Sequence, residues 1–233
     1  MKKNKKPKKK DEAKTDEAKS KKSIVIVSSI LLILGFLIGG YFYKLEQKKQ
    51  DHFMSKKYAE VFVRKHSPSM GPDDASVYLV EFLDPECESC KAFHPSVKKI
   101  LKQYPEDVKL VIRYTPLHKN SKFAIAILEA ARRQNKFWET LDVVFQSQPS
   151  WGNHKNPRPE LLWKYLSNVS GLDVEKVKKD VNDPSIQKVI EQDIKDGNRL
   201  KVRRTPTFFV NGKRLKRLGY QPLKTVIEYE MKL

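Results

Sequence analysis

Cysteine is almost missing from this sequence, because Cys87 and Cys90 are the only two in 233 residues. So small a number excludes a structural disulfide elsewhere in the chain and leaves too few thiolates for a closed four-cysteine zinc site. The two cysteines have C-x-x-C spacing, as Cys87-Glu88-Ser89-Cys90. Any chemistry at these sulfurs therefore belongs to the pair alone.

Aromatic residues are missing from the N-terminal tail. Residues 1–22 carry eleven lysines against four acidic residues, and the whole chain has a formal net charge of +19. A run so charged and so poor in apolar residues predicts a disordered, solvated tail. Because no recognition motif accompanies the lysines, we expect no nucleic-acid partner.

Charged residues are absent from Ser23 to Tyr43, whose sequence is SIVIVSSILLILGFLIGGYFY. As a helix this run would measure about 30 Å, the thickness of a bilayer core. It is longer than the apolar part of a signal peptide and lacks a small-residue cleavage site, so residues 23–43 predict an uncleaved anchor. Eleven lysines precede it and five follow closely, which places the tail in the cytoplasm and the rest of the chain outside it.

The remainder of the chain predicts an α/β order of elements. Residues 44–76 are predicted as a stalk or leading helix, with a break at 67–72 because proline, serine and glycine cluster there. An apolar run at 77–83 predicts a buried strand directly before the cysteine pair. The other predicted elements are a helix at 91–103, a strand at 108–117, a helical block at about 118–202 with a loop at 147–159, a hairpin of strands at 206–210 and 213–217, and a helix at 221–233.

The order strand, C-x-x-C, helix is the arrangement that thiol–disulfide exchange requires. Only a thiolate attacks a disulfide, so the reactive cysteine needs a lowered pKa. Cys87 follows a predicted strand and lies at the first turn of a predicted helix, whose N-terminus carries partial positive charge and free N–H groups. Cys90 lies one helical turn further on and is placed to close a small disulfide with it.

Two segments resemble the thioredoxin superfamily. The residues from Glu81 to Pro95 resemble its active-site strand and helix, and those from Arg204 to Gly212 resemble the loop whose proline is cis and faces the disulfide. The helical block between them is similar to that of the DsbA-like, disulfide-forming branch. For residues 77–233 the resemblance implies a thioredoxin fold with an inserted helical block, here preceded by one transmembrane helix. It also implies a single-pass protein of the bacterial inner membrane with a periplasmic or otherwise extracytoplasmic catalytic domain.

The resemblance implies a role for each site residue. Cys87 is the attacking sulfur and Cys90 the resolving one. Pro206 is expected to be cis, to hold the substrate strand beside the disulfide and to block metal binding, and Thr205 to offer its backbone to the substrate. Glu81 is expected either to relay protons to Cys90 or to be a salt-bridged or partly exposed carboxylate. No cofactor is implied, and the implied partners are exported proteins with cysteines and a membrane or periplasmic redox partner.

The dipeptide between the cysteines departs from the family. Glu88-Ser89 matches neither the Pro-His of the strong oxidase nor the Gly-Pro of thioredoxin. Ser89 is either a spacer or a hydrogen-bond donor to the Cys87 thiolate. Glu86 and Glu88 are expected to be exposed and to oppose that thiolate by their charge. We therefore expect a higher Cys87 pKa and a weaker oxidant than DsbA. The direction of electron flow stays open: disulfide formation or isomerisation is favoured, and reduction is the third alternative.

Two other classes of function stay open at this point. A metal-binding or metallochaperone module would use Cys87 and Cys90 with His94 or His118. A non-catalytic peptide-binding module would keep the fold and use the helical block as a docking surface.

Overall fold

The computed structural model describes residues 29–43 and 59–232. Residues 29–43 form a helix, α1, whose large apolar side chains are exposed. The predicted anchor begins at Ser23, so its first part lies outside the described residues, as do the tail and residues 44–58 of the predicted stalk. Among the described helices, none combines the length and the apolar character needed to cross a membrane.

The second described range, taken by itself, is an α/β unit with a mixed sheet. Its strands are β1 (Ser69–Met70), β2 (Val77–Leu83), β3 (Val108–Tyr114), β4 (Thr207–Val210) and β5 (Lys213–Arg214). Its helices are α2 (Ala59–Phe62), α3 (Glu88–Gln103), α4 (Ser121–Arg132), α5 (Phe137–Trp151), α6 (Leu161–Leu166), α7 (Val174–Asp180), α8 (Pro184–Arg199) and α9 (Tyr220–Glu230). The strand order is β1-β3-β2-β4-β5, with β2 and β3 parallel and the other neighbours antiparallel.

The two central strands are almost wholly buried because their sequences are nearly continuous apolar runs, as expected for parallel strands covered on both faces. Successive side chains point to opposite faces. Leu79 and Leu83 therefore pack into the larger core, beside the helices, whereas Val80 and Phe82 pack into a smaller one. Glu81 follows the period of Leu79 and Leu83, which aims its side chain towards the larger core.

The folded unit extends further towards the N-terminus than the predicted break at 67–72. Ser69 and Met70 pair with β3 as an edge strand, and Phe62 of α2 packs into the smaller core. The proline, serine and glycine at 67–72 form β1 and the bends on either side of it, so the predicted break lies inside the unit. The buried apolar side chain of Phe62 explains why this segment joins the unit.

Other predicted boundaries differ by a few residues for local reasons. The strand predicted at 108–117 ends at Tyr114, before Pro116, which has no N–H to donate to a ladder. The loop predicted at 147–159 begins later, because α5 continues through Pro149 to Trp151. The strand predicted at 213–217 contains only Lys213 and Arg214.

A buried ionic network joins the sheet to the helical block. Arg113 of β3 is fully buried and donates hydrogen bonds to Asp193 at 2.7 and 3.0 Å and to Asp196 at 2.7 Å, both on α8. Arg64 donates two further bonds of 2.9 Å to Asp196, and His66 lies 2.8 Å from Asp193. The segment before β1, the central sheet and α8 are therefore held by one set of charges.

Replacing Arg113 by methionine should destabilise the fold strongly, because it leaves Asp193 and Asp196 buried without their central cation. Breaking a buried pair by removing one partner costs about 3–5 kcal/mol. The matched variant Arg133→Met removes a guanidinium from a partly exposed pair with Asp183, where less than about 1 kcal/mol is expected. Urea unfolding of the two variants gives the comparison, and equal losses would contradict the central role of Arg113.

Candidate redox site

The two cysteines lie at the start of α3, immediately after β2. Cys87 is the N-cap residue with extended backbone angles, and Cys90 falls in the first turn. Both are free thiols; Cys90 is completely buried and Cys87 retains 8% of its surface. One sulfur is therefore reachable from outside, and the other is not.

The loop before β4 faces the reachable sulfur. The Cys87 thiol donates to the Thr205 carbonyl at 3.4 Å, although the two residues are 118 positions apart. The peptide bond between Thr205 and Pro206 is cis, as predicted. On the inner side, the Asp84 N–H donates to the Cys90 sulfur at 3.5 Å. The structure thus brings together the two segments that sequence reasoning singled out separately.

The two thiols have opposite acidities. The largest effect on Cys87 is a hydrogen bond from Cys90, which lowers the pKa of Cys87, whereas burial raises it. The Thr205 hydroxyl and the N–H groups of Cys90 and Ser89 lower the pKa further, and the net result is a pKa of about 5. Burial raises the pKa of Cys90 well above its usual value, and the hydrogen bond with Cys87 and the charge of Glu81 add to this. Cys87 is therefore a thiolate at neutral pH while Cys90 keeps its proton.

Glu81 is buried on β2, with only 2% of its surface exposed. Burial raises the pKa of Glu81 to about 8. The alternative of a salt-bridged or partly exposed carboxylate is therefore wrong. A protonated carboxyl near neutral pH, close enough for its charge to affect Cys90, is suited to giving a proton to that sulfur or taking one from it.

The dipeptide between the cysteines contributes mainly through its backbone. Ser89 is exposed, and its N–H is one of the groups that lower the pKa of Cys87. Glu88 is exposed as expected, and its carboxylate lies 2.9 Å from the His154 ring nitrogen. The negative charge of Glu88 therefore interacts with His154, which follows α5, as well as with the Cys87 thiolate.

The expectation that Glu86 is exposed is wrong. It is 2% exposed, and its carboxylate accepts hydrogen bonds from the Asn120 N–H at 2.6 Å and from the Asn120 side chain at 2.9 Å. Asn120 is the N-cap residue of α4, so the carboxylate meets the positive end of that helix. The charge of Glu86 is therefore engaged by the helical block and is directed away from the redox pair.

Sequence reasoning missed Asp84 as a site residue. Its buried carboxylate accepts bonds from the Glu86 N–H at 2.9 Å, the Leu117 N–H at 2.8 Å and the His118 ring at 2.7 Å. Burial lowers the pKa of His118, but the Asp84 hydrogen bond and the negative charges of Asp84 and Cys87 more than offset it and raise that pKa. In its protonated form, which the raised pKa favours, the His118 ring favours the thiolate form of Cys87. The only sequence signal was the Asp84-Pro85 dipeptide, which is typical of a turn.

The histidines proposed as metal ligands have other partners. His94 lies 2.7 Å from Asp142, and His118 is bonded to Asp84. Within the described ranges, no group of three or more His, Cys, Asp or Glu side chains is placed to hold a metal ion. The geometry around Cys87 and Cys90 thus favours exchange chemistry over metal binding.

Comparison with known proteins agrees with the fold. A family model described as Thioredoxin matches residues 64–229, which is well over half of the chain. The chain therefore belongs to the thioredoxin family.

Within that family, the chain is similar to disulfide bond formation protein D of Bacillus subtilis (strain 168). The two are 30% identical over 175 residues, which cover 72% of this chain and 78% of that protein. The crystal structure of oxidised BdbD from Bacillus subtilis superposes with a TM-score of 0.66 at 29% identity, covering 73% of this chain and 96% of that one. The Na⁺/H⁺ antiporter NhaA of Herminiimonas arsenicoxydans is 35% identical over 63% of this chain. This chain spans only 22% of that antiporter's length, and transport is not inferred from the match.

Replacing Thr205 by valine should raise the pKa of Cys87 from about 5. Valine keeps the shape of the side chain but removes a buried hydroxyl that has no hydrogen-bond partner among the described residues and is therefore free to donate to the Cys87 thiolate, whose pKa it lowers. A hydrogen bond to a charged group contributes about 1.5–3 kcal/mol, so we expect a rise of about one to two pKa units. The pH dependence of thiolate absorbance, or of alkylation by iodoacetamide, measures it.

The matched control is Thr140→Val, which removes another buried, unpartnered hydroxyl, this one in α5. It should leave the pKa of Cys87 unchanged. An unchanged Cys87 pKa in Thr205→Val as well would show that the hydroxyl does not stabilise the thiolate.

Proposed function

We propose that this chain is a membrane-anchored thiol–disulfide oxidoreductase that forms disulfides in exported proteins, with isomerisation as a second use of the same site. The observation that carries the proposal is the asymmetry of the cysteine pair. Cys87 has a pKa of about 5 and borders the cis-proline loop, whereas Cys90 is buried with a raised pKa. A metallochaperone would need both cysteines available as thiolates. A non-catalytic peptide-binding module would need neither the acidic Cys87 nor the buried Cys90.

The reaction starts from the oxidised pair. A substrate thiolate attacks the Cys87 sulfur, the Cys87–Cys90 bond breaks, and the Cys90 sulfur leaves with the electron pair. Glu81, protonated at neutral pH, supplies the proton that Cys90 then holds. A second substrate thiolate attacks the substrate sulfur of the mixed disulfide and releases Cys87 as a thiolate. The substrate has lost two electrons and the pair has gained them, and a membrane or periplasmic redox partner removes them to restore the disulfide.

The loop before β4 binds the substrate strand. Pro206 is buried beside the pair, and the Thr205 carbonyl is within hydrogen-bonding distance of the Cys87 sulfur. Thr205 therefore offers its backbone at the place where the substrate sulfur must arrive. In this position the substrate extends the sheet edge by main-chain pairing, which tolerates many side chains.

The acidity of Cys87 favours oxidation over reduction. A stable thiolate stabilises the reduced form and makes the disulfide a stronger oxidant. A pKa of about 5 lies between those of thioredoxin, about 7, and DsbA, about 3.5. We infer a reduction potential between about −270 and about −120 mV, which suits disulfide formation in an oxidising compartment.

The domain plan places this chemistry outside the cytoplasm. Residues 1–22 form the cytoplasmic tail, 23–43 the anchor and 44–76 the connection, whose last part, with Phe62 and β1, packs into the catalytic domain at 77–233. The helical insertion lies at about 118–202. The charge-free run from Ser23 to Tyr43 supports the anchor, as do the exposed apolar side chains of α1, such as Leu32 at 76% and Phe36 at 84%. The lysine asymmetry supports the orientation.

Replacing Cys90 by serine should trap substrates. Cys87 keeps its nucleophilicity but loses the thiol that resolves the mixed disulfide, so covalent complexes with exported proteins should accumulate. Non-reducing electrophoresis of cell extracts, followed by reduction, measures them. Cys87→Ser is the matched control and should trap nothing. Trapping by Cys87→Ser but not by Cys90→Ser would reverse the roles assigned to the two sulfurs.

The orientation predicts which part of the chain a protease reaches. In cells whose outer barrier has been opened, an added protease should digest the part after Tyr43 and leave residues 1–22 protected. Tags at the two ends, followed by immunoblotting, report both parts, with a cytoplasmic protein as the control for lysis. Protection of the catalytic part in unlysed cells would overturn the extracytoplasmic placement.

A further inference from the structure

A groove of about 450 Å³ runs along one side of the redox pair. One wall contains Ser89 and the cis-proline loop, including Thr205 and Pro206. The other wall is the segment that follows β5, in which Leu215 and Leu218 provide apolar surface. The groove therefore begins at the reactive site and leads away from it past the edge of the sheet.

The groove carries four cationic side chains, Arg204, Arg214, Lys216 and Arg217. All four are exposed, and within the part of the chain that the structure describes none of them forms a salt bridge. Lys213 is adjacent to Arg214 on β5 but has a partner, because its ammonium lies 2.9 Å from Glu230. The four cations in the groove thus lack acidic partners, whereas the neighbouring Lys213 has one.

Arg214 is held in place although it has no counter-ion. Its guanidinium lies 5.0 Å from the centre of the Phe209 ring and donates a hydrogen bond to the Leu200 carbonyl. Burial lowers the pKa of Arg214, and the positive charge of Arg204 lowers it further. Two like charges kept close together are stabilised by any anion that binds between them.

We propose that this groove binds acidic segments of the substrate protein, so that the enzyme prefers cysteines flanked by aspartate and glutamate. The proposal rests on the proposed function and names the substrate class of the same site. Arginine is suited to this task because its guanidinium binds a carboxylate through two parallel hydrogen bonds. Leu215 and Leu218 add contacts for apolar side chains of the same segment.

A peptide fits these observations better than an anionic lipid surface does. Ser89, Thr205 and Pro206 line the same groove as the four cations, so its occupant touches the residues around Cys87. The molecule that must come to Cys87 is the protein being oxidised. The charges also act before contact, since a basic groove raises the encounter rate of acidic partners, and salt screens this effect.

The test compares oxidation of three dithiol peptides by the full chain in neutral detergent. The peptides share the two cysteines and differ in flanking residues that are acidic, neutral or basic. At low ionic strength, the acidic peptide should be oxidised about tenfold faster than the neutral one and the basic peptide more slowly, with the differences shrinking as salt is added. The variant Lys216→Glu with Arg217→Glu leaves two cations against two carboxylates in the groove, so the difference between the acidic and basic peptides should disappear.

The matched control is Lys164→Glu with Lys188→Glu, which changes the net charge equally at exposed positions on α6 and α8. It should keep the wild-type ranking. Equal rates for all three peptides with the unmodified chain would overturn the groove proposal and leave the proposed function standing, whereas no oxidation of any peptide by that chain would refute the proposed function itself. If the ranking is absent and only the groove variant loses binding to phosphatidylglycerol vesicles, the groove faces lipid and the proposal is wrong.

Discussion

Arg113 lies in the interior between two aspartates of α8, and the geometry of the redox site depends on this interaction. Its strand, β3, neighbours β2, which leads into the cysteine pair, while α8 leads through a few residues into the cis-proline loop. The approach of helix and sheet is close: a Cβ at Gly197 would lie 3.4 Å from the Thr115 hydroxyl oxygen. Buried charges favour one arrangement strongly, because each alternative leaves an ion without its partner. The network therefore fixes the loop that contacts Cys87 relative to the strand that presents it.

Acidic residues surround the cysteine pair, yet each has a different electrostatic role. Glu81 is buried and has a pKa of about 8, and Asp84 accepts three hydrogen bonds that tie the redox loop to the residues after β3. Glu86 meets the N-terminus of α4, and Glu88 pairs with His154 at the surface. Simple proximity predicts that all of them oppose the Cys87 thiolate. Instead, burial or a hydrogen-bonding partner engages each carboxylate, and the pKa of Cys87 is about 5.

The fold and the cysteine pair could be predicted because their signals are local. Residues 77–83 form one uninterrupted apolar run, and its predicted bounds match β2. Predictions failed where a distant partner decides the outcome. Glu86 is buried by Asn120, 34 positions away. Helix α5 runs past Pro149 because the Trp151 ring is buried in the larger core, among side chains of other elements. No periodicity within a short window records such contacts. The segment before β1 joins the folded unit through distant partners of the same kind, since Arg64 and His66 bond to aspartates of α8.

Glu81 lowers the stability of the fold at the pH where the enzyme works. Its pKa is about 8 in the folded chain and about 4.3 in an unfolded one, so the folded state binds the extra proton between these values. The contribution of Glu81 to the free energy of unfolding is fully present below about pH 4.3 and is lost as the pH rises through about 8. At pH 7 the penalty relative to the acidic limit is of the order of 3 kcal/mol. An apolar side chain at this position would avoid it. The proposed proton transfer gives a reason for keeping a carboxyl there at such a cost, because the Cys90 sulfur that gains and loses the proton is itself completely buried.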